Sequence, residues 1–121
     1  MQRTLNAHTK VIESIAFNSD NLLASGSWDF TVKLWNTTTG DLIRTFIGHN
    51  GIVYTVAFGI HYLLASGSSD RTIKLWDTKI GSLVYTLSGH TGNVLTVAFS
   101  SDNLLASGSW DRTIKFWNAD T

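Results

Sequence analysis

A histidine, a serine and an aspartate recur together three times in this chain, and those three side chains are the chemistry of a nucleophilic hydrolase. Ser25 to Trp35 reads S-G-S-W-D-F-T-V-K-L-W, Ser66 to Trp76 reads S-G-S-S-D-R-T-I-K-L-W, and Ser107 to Trp117 reads S-G-S-W-D-R-T-I-K-F-W. His8, His49 and His90 precede them at the same 41-residue step, which Phe17, Phe58 and Phe99 and the glycines Gly40 and Gly81 also keep. A nucleophile needs solvent access and an oxyanion hole, and it is needed only once. Three copies at a fixed step, each followed by a tryptophan, argue for structural cross-links, so no catalytic residue is assigned and no enzyme is expected. Metal binding fails for a similar reason: equivalent histidines in separate repeats cannot converge on one tetrahedral ion. His61 stands alone in a turn and reads as a solvated loop residue. Cysteine is absent, which removes disulfides and thiolate chemistry. No metal or cofactor is expected.

Something must position these residues. With 121 residues, 43% hydrophobic and 15% charged, the chain can bury a core. Nine basic residues balance nine acidic ones, so no global field draws it to nucleic acid or anionic lipid. The start lacks the apolar core of a secretory signal, and no apolar run approaches a membrane span. The expectation is an intracellular, cytoplasmic domain that contacts neither nucleic acid nor membrane.

The 41-residue period is a repeat architecture. The chain reads as a single segment over 1–121, with repeats at about 1–39, 40–80 and 81–121. Each repeat divides into short runs rich in Val, Ile, Thr, Phe and Trp: Leu83 to Leu87, Asn93 to Phe99, Leu104 to Ser109 and Thr113 to Trp117 are one set. Such runs, punctuated by Gly, Asn and Asp, predict antiparallel strands. No segment holds a helical period. Alternation within the runs is weak. Ile73 and Leu75 face one way and Thr72, Lys74 and Trp76 the other, which suits a small sheet packed on both faces with the Lys74 stem lying along a neighbour. The fold class is therefore all-β, with three four-stranded antiparallel β-propeller blades forming an incomplete ring; a β-sandwich is the alternative.

At Gly48-His49 and Trp76-Asp77 the residues resemble the WD-repeat β-propeller family, and the resemblance spans the whole chain. Ala7 replaces the glycine before His8, Asn36 and Asn118 replace the aspartate after tryptophan, and Phe30 stands where Arg71 and Arg112 sit. The turn at Asn18 to Asn21 lacks the family's usual proline. The resemblance implies a hydrogen-bonded tetrad in each blade: His8, Ser25, Asp29 and Trp35; His49, Ser66, Asp70 and Trp76; His90, Ser107, Asp111 and Trp117. Ser27, Ser68 and Ser109 are the second choice for the serine. A buried carboxylate is costly unless donors satisfy it, and an imidazole with turn amides can do so.

The resemblance also implies a rigid, non-enzymatic scaffold for protein or peptide ligands. Its contact positions lie three and five residues after each histidine and just before each aspartate: Val11, Glu13 and Trp28; Ile52, Tyr54 and Ser69; Asn93, Leu95 and Trp110. Tryptophan and tyrosine are favoured interface anchors. The other reading makes Trp28 and Trp110 covers for turn residues. Asp70 to Lys79 is similar to the box by which some members dock an adaptor of cullin-type ubiquitin ligases, although only Trp76, Asp77 and Lys79 match and Lys79 replaces an arginine.

Three blades do not close a ring, since propellers typically have four to eight. Met1 to Leu5 matches Leu42 to Phe46, the outermost strand of a blade, and Asp120-Thr121 stops before the strand that would complete the last blade. Head-to-tail self-assembly is expected, as a dimer of six blades or a trimer of nine. The alternative is a fragment of a longer propeller. Between Asn18–Asn36 and Ser100–Asn118, 15 of 19 positions are identical, the mark of one blade copied or of an unused fragment.

Overall fold

Short strands of Val, Ile, Leu and Trp joined by tight Asp, Asn and Gly turns can hide an apolar face only by stacking small sheets against one another. The computed structural model describes residues 2–119 and is built this way. The first sheet holds β1 (Ile12–Phe17), β2 (Leu22–Ser27), β3 (Val32–Asn36) and β4 (Leu42–Phe46). The second holds β5 (Val53–Phe58), β6 (Leu63–Ser68), β7 (Ile73–Asp77) and β8 (Leu83–Leu87), and the third β9 (Val94–Phe99), β10 (Leu104–Ser109) and β11 (Ile114–Asn118). Neighbours in sequence are neighbours in each sheet, and every pairing is antiparallel. The described residues contain no helix, so none long and apolar enough to cross a membrane.

Four-stranded blades are thus found in the first two repeats, while the third has three strands among the described residues. Residues 2–5, expected as an outer strand, belong to no ladder among the described residues. Met1, Asp120 and Thr121, on which part of that expectation falls, lie outside the described residues.

Blades stack inner strand beside inner strand, β1 on β5 and β5 on β9. The core therefore lies between blades. Ala24, Val32, Leu34 and Phe46 of the first meet Val53, Val56, Leu64 and Trp76 of the second. Ala65, Ile73 and Leu75 of the second meet Val94, Val97 and Leu105 of the third. The glycine of S-G-S makes the close approach possible: Val53 lies tight against Gly26 and Val94 against Gly67, leaving no room for a Cβ.

Each inner strand carries a β-bulge at one position. Ile12 pairs with Ser27 and Ser14 with Gly26, so Glu13 is left out of the ladder. Tyr54 and Leu95 are left out of their blades in the same way. Beside the bulge a hydroxyl crosses to the next blade: the Val56 amide donates to Ser14 Oγ and the Val97 amide to Thr55 Oγ1, both at 3.2 Å. Edge amides that would otherwise lack a partner are satisfied this way. The turn after each β2-type strand places Phe30, Arg71 and Arg112 in the left-handed region, at φ of 75°, 72° and 72°. Backbone shape there is common to all three blades, which is why Phe30 can stand in for arginine.

Thr55→Val keeps the shape of the side chain and leaves the buried Val97 amide without an acceptor. Chemical denaturation should show a loss of about 1–3 kcal/mol; an unchanged midpoint would mean that the interblade bond contributes nothing.

Candidate functional site

Each blade brings its histidine, serine, aspartate and tryptophan within hydrogen-bonding distance. Histidine comes from the segment before the inner strand, serine from the middle of the second strand, aspartate from the following turn and tryptophan from the third strand. In the first blade Trp35 Nε1 donates to Ser25 Oγ at 3.0 Å, Ser25 Oγ lies 2.7 Å from His8 Nε2, and His8 Nδ1 lies 2.8 Å from Asp29 Oδ2. His49 with Ser66, Asp70 and Trp76 repeats these contacts, as does His90 with Ser107, Asp111 and Trp117. One proton arrangement satisfies every member. In it the serine hydroxyl, already accepting from indole, donates to Nε2, and Nδ1–H donates to the carboxylate.

In order of contacts this is the hydrolase triad, aspartate to histidine to serine. It differs in access. Ser25, Ser66 and Ser107 are only 2%, 0% and 2% exposed, and each Oγ accepts from an indole N–H. A substrate carbonyl has no route to that oxygen. Both ring nitrogens of His8, His49 and His90 are engaged within their own blades. Among the described residues no cluster of three or more acidic, histidine or cysteine side chains could hold a metal. His61 is exposed in the β5–β6 turn, at a φ of 55°.

The second serine of each S-G-S takes a different place. Ser27 Oγ donates to the Val11 carbonyl at 2.8 Å and accepts from the Asp29 amide at 3.1 Å. Ser68 and Ser109 receive the Asp70 and Asp111 amides likewise. The sequence reading overlooked the threonine two residues after each aspartate. Thr31, Thr72 and Thr113 each donate a hydroxyl proton to the second carboxylate oxygen at 2.6 Å, and each adds its backbone amide. D-x-T stands in all three repeats, so that signal was present.

These donors set the acidity of the carboxyls. For Asp29, burial opposes ionisation, but the Thr31 hydroxyl and amide and the His8 imidazole outweigh it and hold the pKa at about 2. Burial likewise opposes ionisation of Asp70, and His49 and Thr72 carry it well below the usual carboxylate range. For Asp111 the Thr113 hydroxyl leads; burial works against it, and His90 reinforces the lowering.

The nine proposed contact positions gather in threes at the histidine-side end of each blade. The Trp28, Ser69 and Trp110 amides donate to the carbonyls of Val11, Ile52 and Asn93 at 2.9–3.0 Å. Glu13, Tyr54 and Leu95 are the bulged residues of the inner strands. A bulge re-aims its extra side chain away from the pleat. Chemistry differs between blades: Glu13 Oε1 accepts from Trp28 Nε1 at 2.8 Å, Ser69 Oγ accepts from the Ile52 amide at 2.9 Å, and Leu95 offers Trp110 no acceptor. Trp110 is 68% exposed, against 42% for Trp28.

A carboxyl with a lowered folded-state pKa adds stability that is present above its unfolded value, about 4, and lost as pH falls through the folded value. For Asp29 that window runs from about pH 4 down to about 2. Asp29→Asn should lower stability at pH 7 and flatten the pH dependence in this window, as read from melting temperatures. A parallel pair of curves would mean that Asp29 ionisation is not coupled to folding.

Comparison with known proteins agrees with this geometry. The family model described as "WD domain, G-beta repeat" matches three times, at residues 1–36, 40–77 and 81–118. Among curated proteins, the chain is 44% identical over 43 residues to the "Probable E3 ubiquitin ligase complex SCF subunit sconB" of Aspergillus clavatus, and 43% identical over 42 residues to the protein of that name from Emericella nidulans. These matches cover 36% and 35% of this chain and 6% of each relative, about one repeat's length. The chain therefore spans only a small fraction of the relatives it matches. Three family matches that leave little of the sequence uncovered establish the relationship that those partial likenesses do not: this chain belongs to the WD-repeat, or G-beta repeat, family.

Proposed function

We propose that the chain is a non-enzymatic protein-interaction scaffold of the WD-repeat type, and that copies of it associate head to tail to complete a propeller. The observation that carries the assembly is the chemistry of the two outward-facing sheets. On the third blade Ile114 and Phe116 are 72% and 69% exposed, yet their counterparts Val32, Leu34, Ile73 and Leu75 are buried between blades. On the opposite side of the first blade Ile12, Ile15 and Phe17 are exposed, whereas Val53 and Val56 at equivalent positions are buried. Each open face is half of an interface that the chain already makes twice. A second copy supplies the other half, with Ile12 against Gly108 as Val53 lies against Gly26 and Val94 against Gly67. Joining such faces is a heterologous contact, which ends only when a ring closes. Two copies make six blades and three make nine. The smaller ring immobilises fewer chains and is favoured on that ground.

Ligand docking is assigned to the histidine-side rim, at Val11, Glu13, Trp28, Ile52, Tyr54, Ser69, Asn93, Leu95 and Trp110. Exposed indole rings are the support for it, being large, rigid surfaces suited to a peptide or a short helix. The tetrads of each blade are its scaffold, pinning the loop before the inner strand to the turn and strands behind it. We place the protein inside the cell and assign it no nucleic-acid, membrane or cofactor partner.

A second reading is favoured by the relatives themselves, which are named as SCF ubiquitin ligase subunits and are far longer than this chain. In that reading these repeats are part of a larger propeller whose other blades cover the same faces. The adaptor-box residues weigh little in its support. Asp77 accepts the Lys79 and Ile80 amides at 2.8 Å, as Asn36 accepts the equivalent amides in the first blade, and Lys79 Nζ sits 5.1 Å from the Tyr62 ring centroid.

Light scattering of the 121-residue chain at micromolar concentration should give the mass of two or three copies, and Phe116→Glu should return the mass of one with the strands intact by circular dichroism. A single-chain mass for the unmodified protein would overturn the assembly. The docking rim has its own test. A peptide selected on the unmodified protein should lose at least tenfold in affinity on Trp28→Ala with Trp110→Ala, at an unchanged melting temperature; a lower melting temperature with binding intact would make both residues packing elements.

A further inference from the structure

We propose that the hollow between the β1–β2 turn of the first blade and the β5–β6 turn of the second binds a neutral primary carboxamide carried on an aromatic or apolar group. It lies at the opposite end of the strands from the histidine-side rim, and both of its walls belong to this one chain.

The two blade boundaries are closed differently at this end. Between the second and third blades Asn103 is only 4% exposed, and its Oδ1 accepts from the Ile60 amide at 3.2 Å while lying against Gly59. That carboxamide seals the boundary. One repeat earlier Tyr62 stands in place of Asn103, Ser19 in place of Ile60 and Asn18 in place of Gly59. Tyr62 does not insert: it is 54% exposed, with Lys79 Nζ 5.1 Å from its ring centroid. Asn18 carries the Cβ for which Gly59 has no room, and its Oδ1 is engaged by the Asp20 and Leu22 amides at 2.9 and 3.1 Å. The Ser19 amide has no acceptor among the described residues. Where the carboxamide would sit there is an open hollow of about 380 Å3, lined by residues 18–20 and 58–63. Small-molecule sites commonly fall between about 300 and 1,000 Å3.

One wall of the hollow is strained. Asn21, Tyr62 and Asn103 all lie in the left-handed region, at φ of 61°, 64° and 62°, but only in the second blade does the preceding residue join them, His61 at 55°. The Leu63 amide bonds back to the Ile60 carbonyl at 3.2 Å, so this hairpin closes on two consecutive left-handed residues. Glycine, asparagine and aspartate fill such positions readily, whereas histidine and tyrosine do so at a cost. Strain of this kind gathers where ligands are held.

The lining selects the ligand. The Ser19 N–H calls for an acceptor, and Asn103 on Ile60 is a carboxamide oxygen meeting that need in the equivalent turn. Asp20, on the wall of the hollow, accepts the N–H of an amide and repels a carboxylate. Phe58, Ile60 and Tyr62 offer apolar surface to the rest of the molecule.

Benzamide added to the isotope-labelled 121-residue protein should give a saturable shift of the Ser19 amide resonance, with the Trp28 and Ser69 amides unmoved, and benzoate should bind about tenfold more weakly or worse. Asn18→Gly with Tyr62→Asn rebuilds the sealed boundary of the other two blades. It should abolish benzamide binding and shift the Ser19 amide with no ligand present. Asp20→Ala, at an exposed turn position outside the core, should weaken benzamide and narrow its advantage over benzoate. N-acetylasparagine methylamide in the same titration separates the sources of the amide: binding tighter than benzamide identifies an asparagine of a partner chain, and weaker binding a small aromatic amide. No saturable Ser19 shift with either amide, a shift that persists unchanged in both variants, or benzoate binding as well as benzamide would overturn the site.

Discussion

A sheet of three or four short strands has two faces and no interior, and everything in this molecule follows from the need to cover them. Val32, Leu34, Val53 and Leu64 are buried only because they meet across a blade boundary. At about 25 cal/mol per Å2 of apolar surface removed from water, the stacking of blades is the main source of cohesion. Tight stacking in turn demands the glycine of S-G-S, since a Cβ at Gly67 would collide with Val94 and Thr55. The most repetitive stretch of the sequence is thus the record of one contact surface used over and over.

Polar chemistry inside each blade is subordinate to that stacking. Tryptophan, serine, histidine and aspartate form a chain of donors and acceptors in which no proton is left over, closed at its far end by the threonine hydroxyl and turn amides. Such a network ties the loop entering the blade to the hairpin behind it. Its likeness to a hydrolase triad shows how little residue identity decides alone. A serine pressed under an indole is an acceptor, and the same serine facing a cleft would be a nucleophile.

Much of the architecture was legible because the repeats differ so little. Leu83–Leu87 and Leu104–Ser109 are strands with the bounds that composition suggested, and Asn93 and Thr113 are the only residues of that set lying just outside theirs. Contacts between repeats were not legible. Ser14 meets the amide of Val56 and Thr55 that of Val97, bonds that link one blade to another through backbone groups that carry no residue signature. Arg3 and Arg44, whose guanidinium groups cover Gly40 and Gly81, shared the 41-residue step with them, but the next arginine position is Tyr85, which broke the pattern before it could be noticed. The bulges escaped for another reason: one extra residue in a six-residue strand is lost in an already weak alternation.

Those bulges divide the labour of the sequence. A residue outside the ladder can change without disturbing register or core, and at this one position the three repeats hold an acid, a phenol and an aliphatic chain. Copying a blade therefore preserves the architecture and leaves one outward letter free to be rewritten. Differences in surface chemistry can accumulate on this protein a single side chain at a time, while the ladder on either side keeps its register.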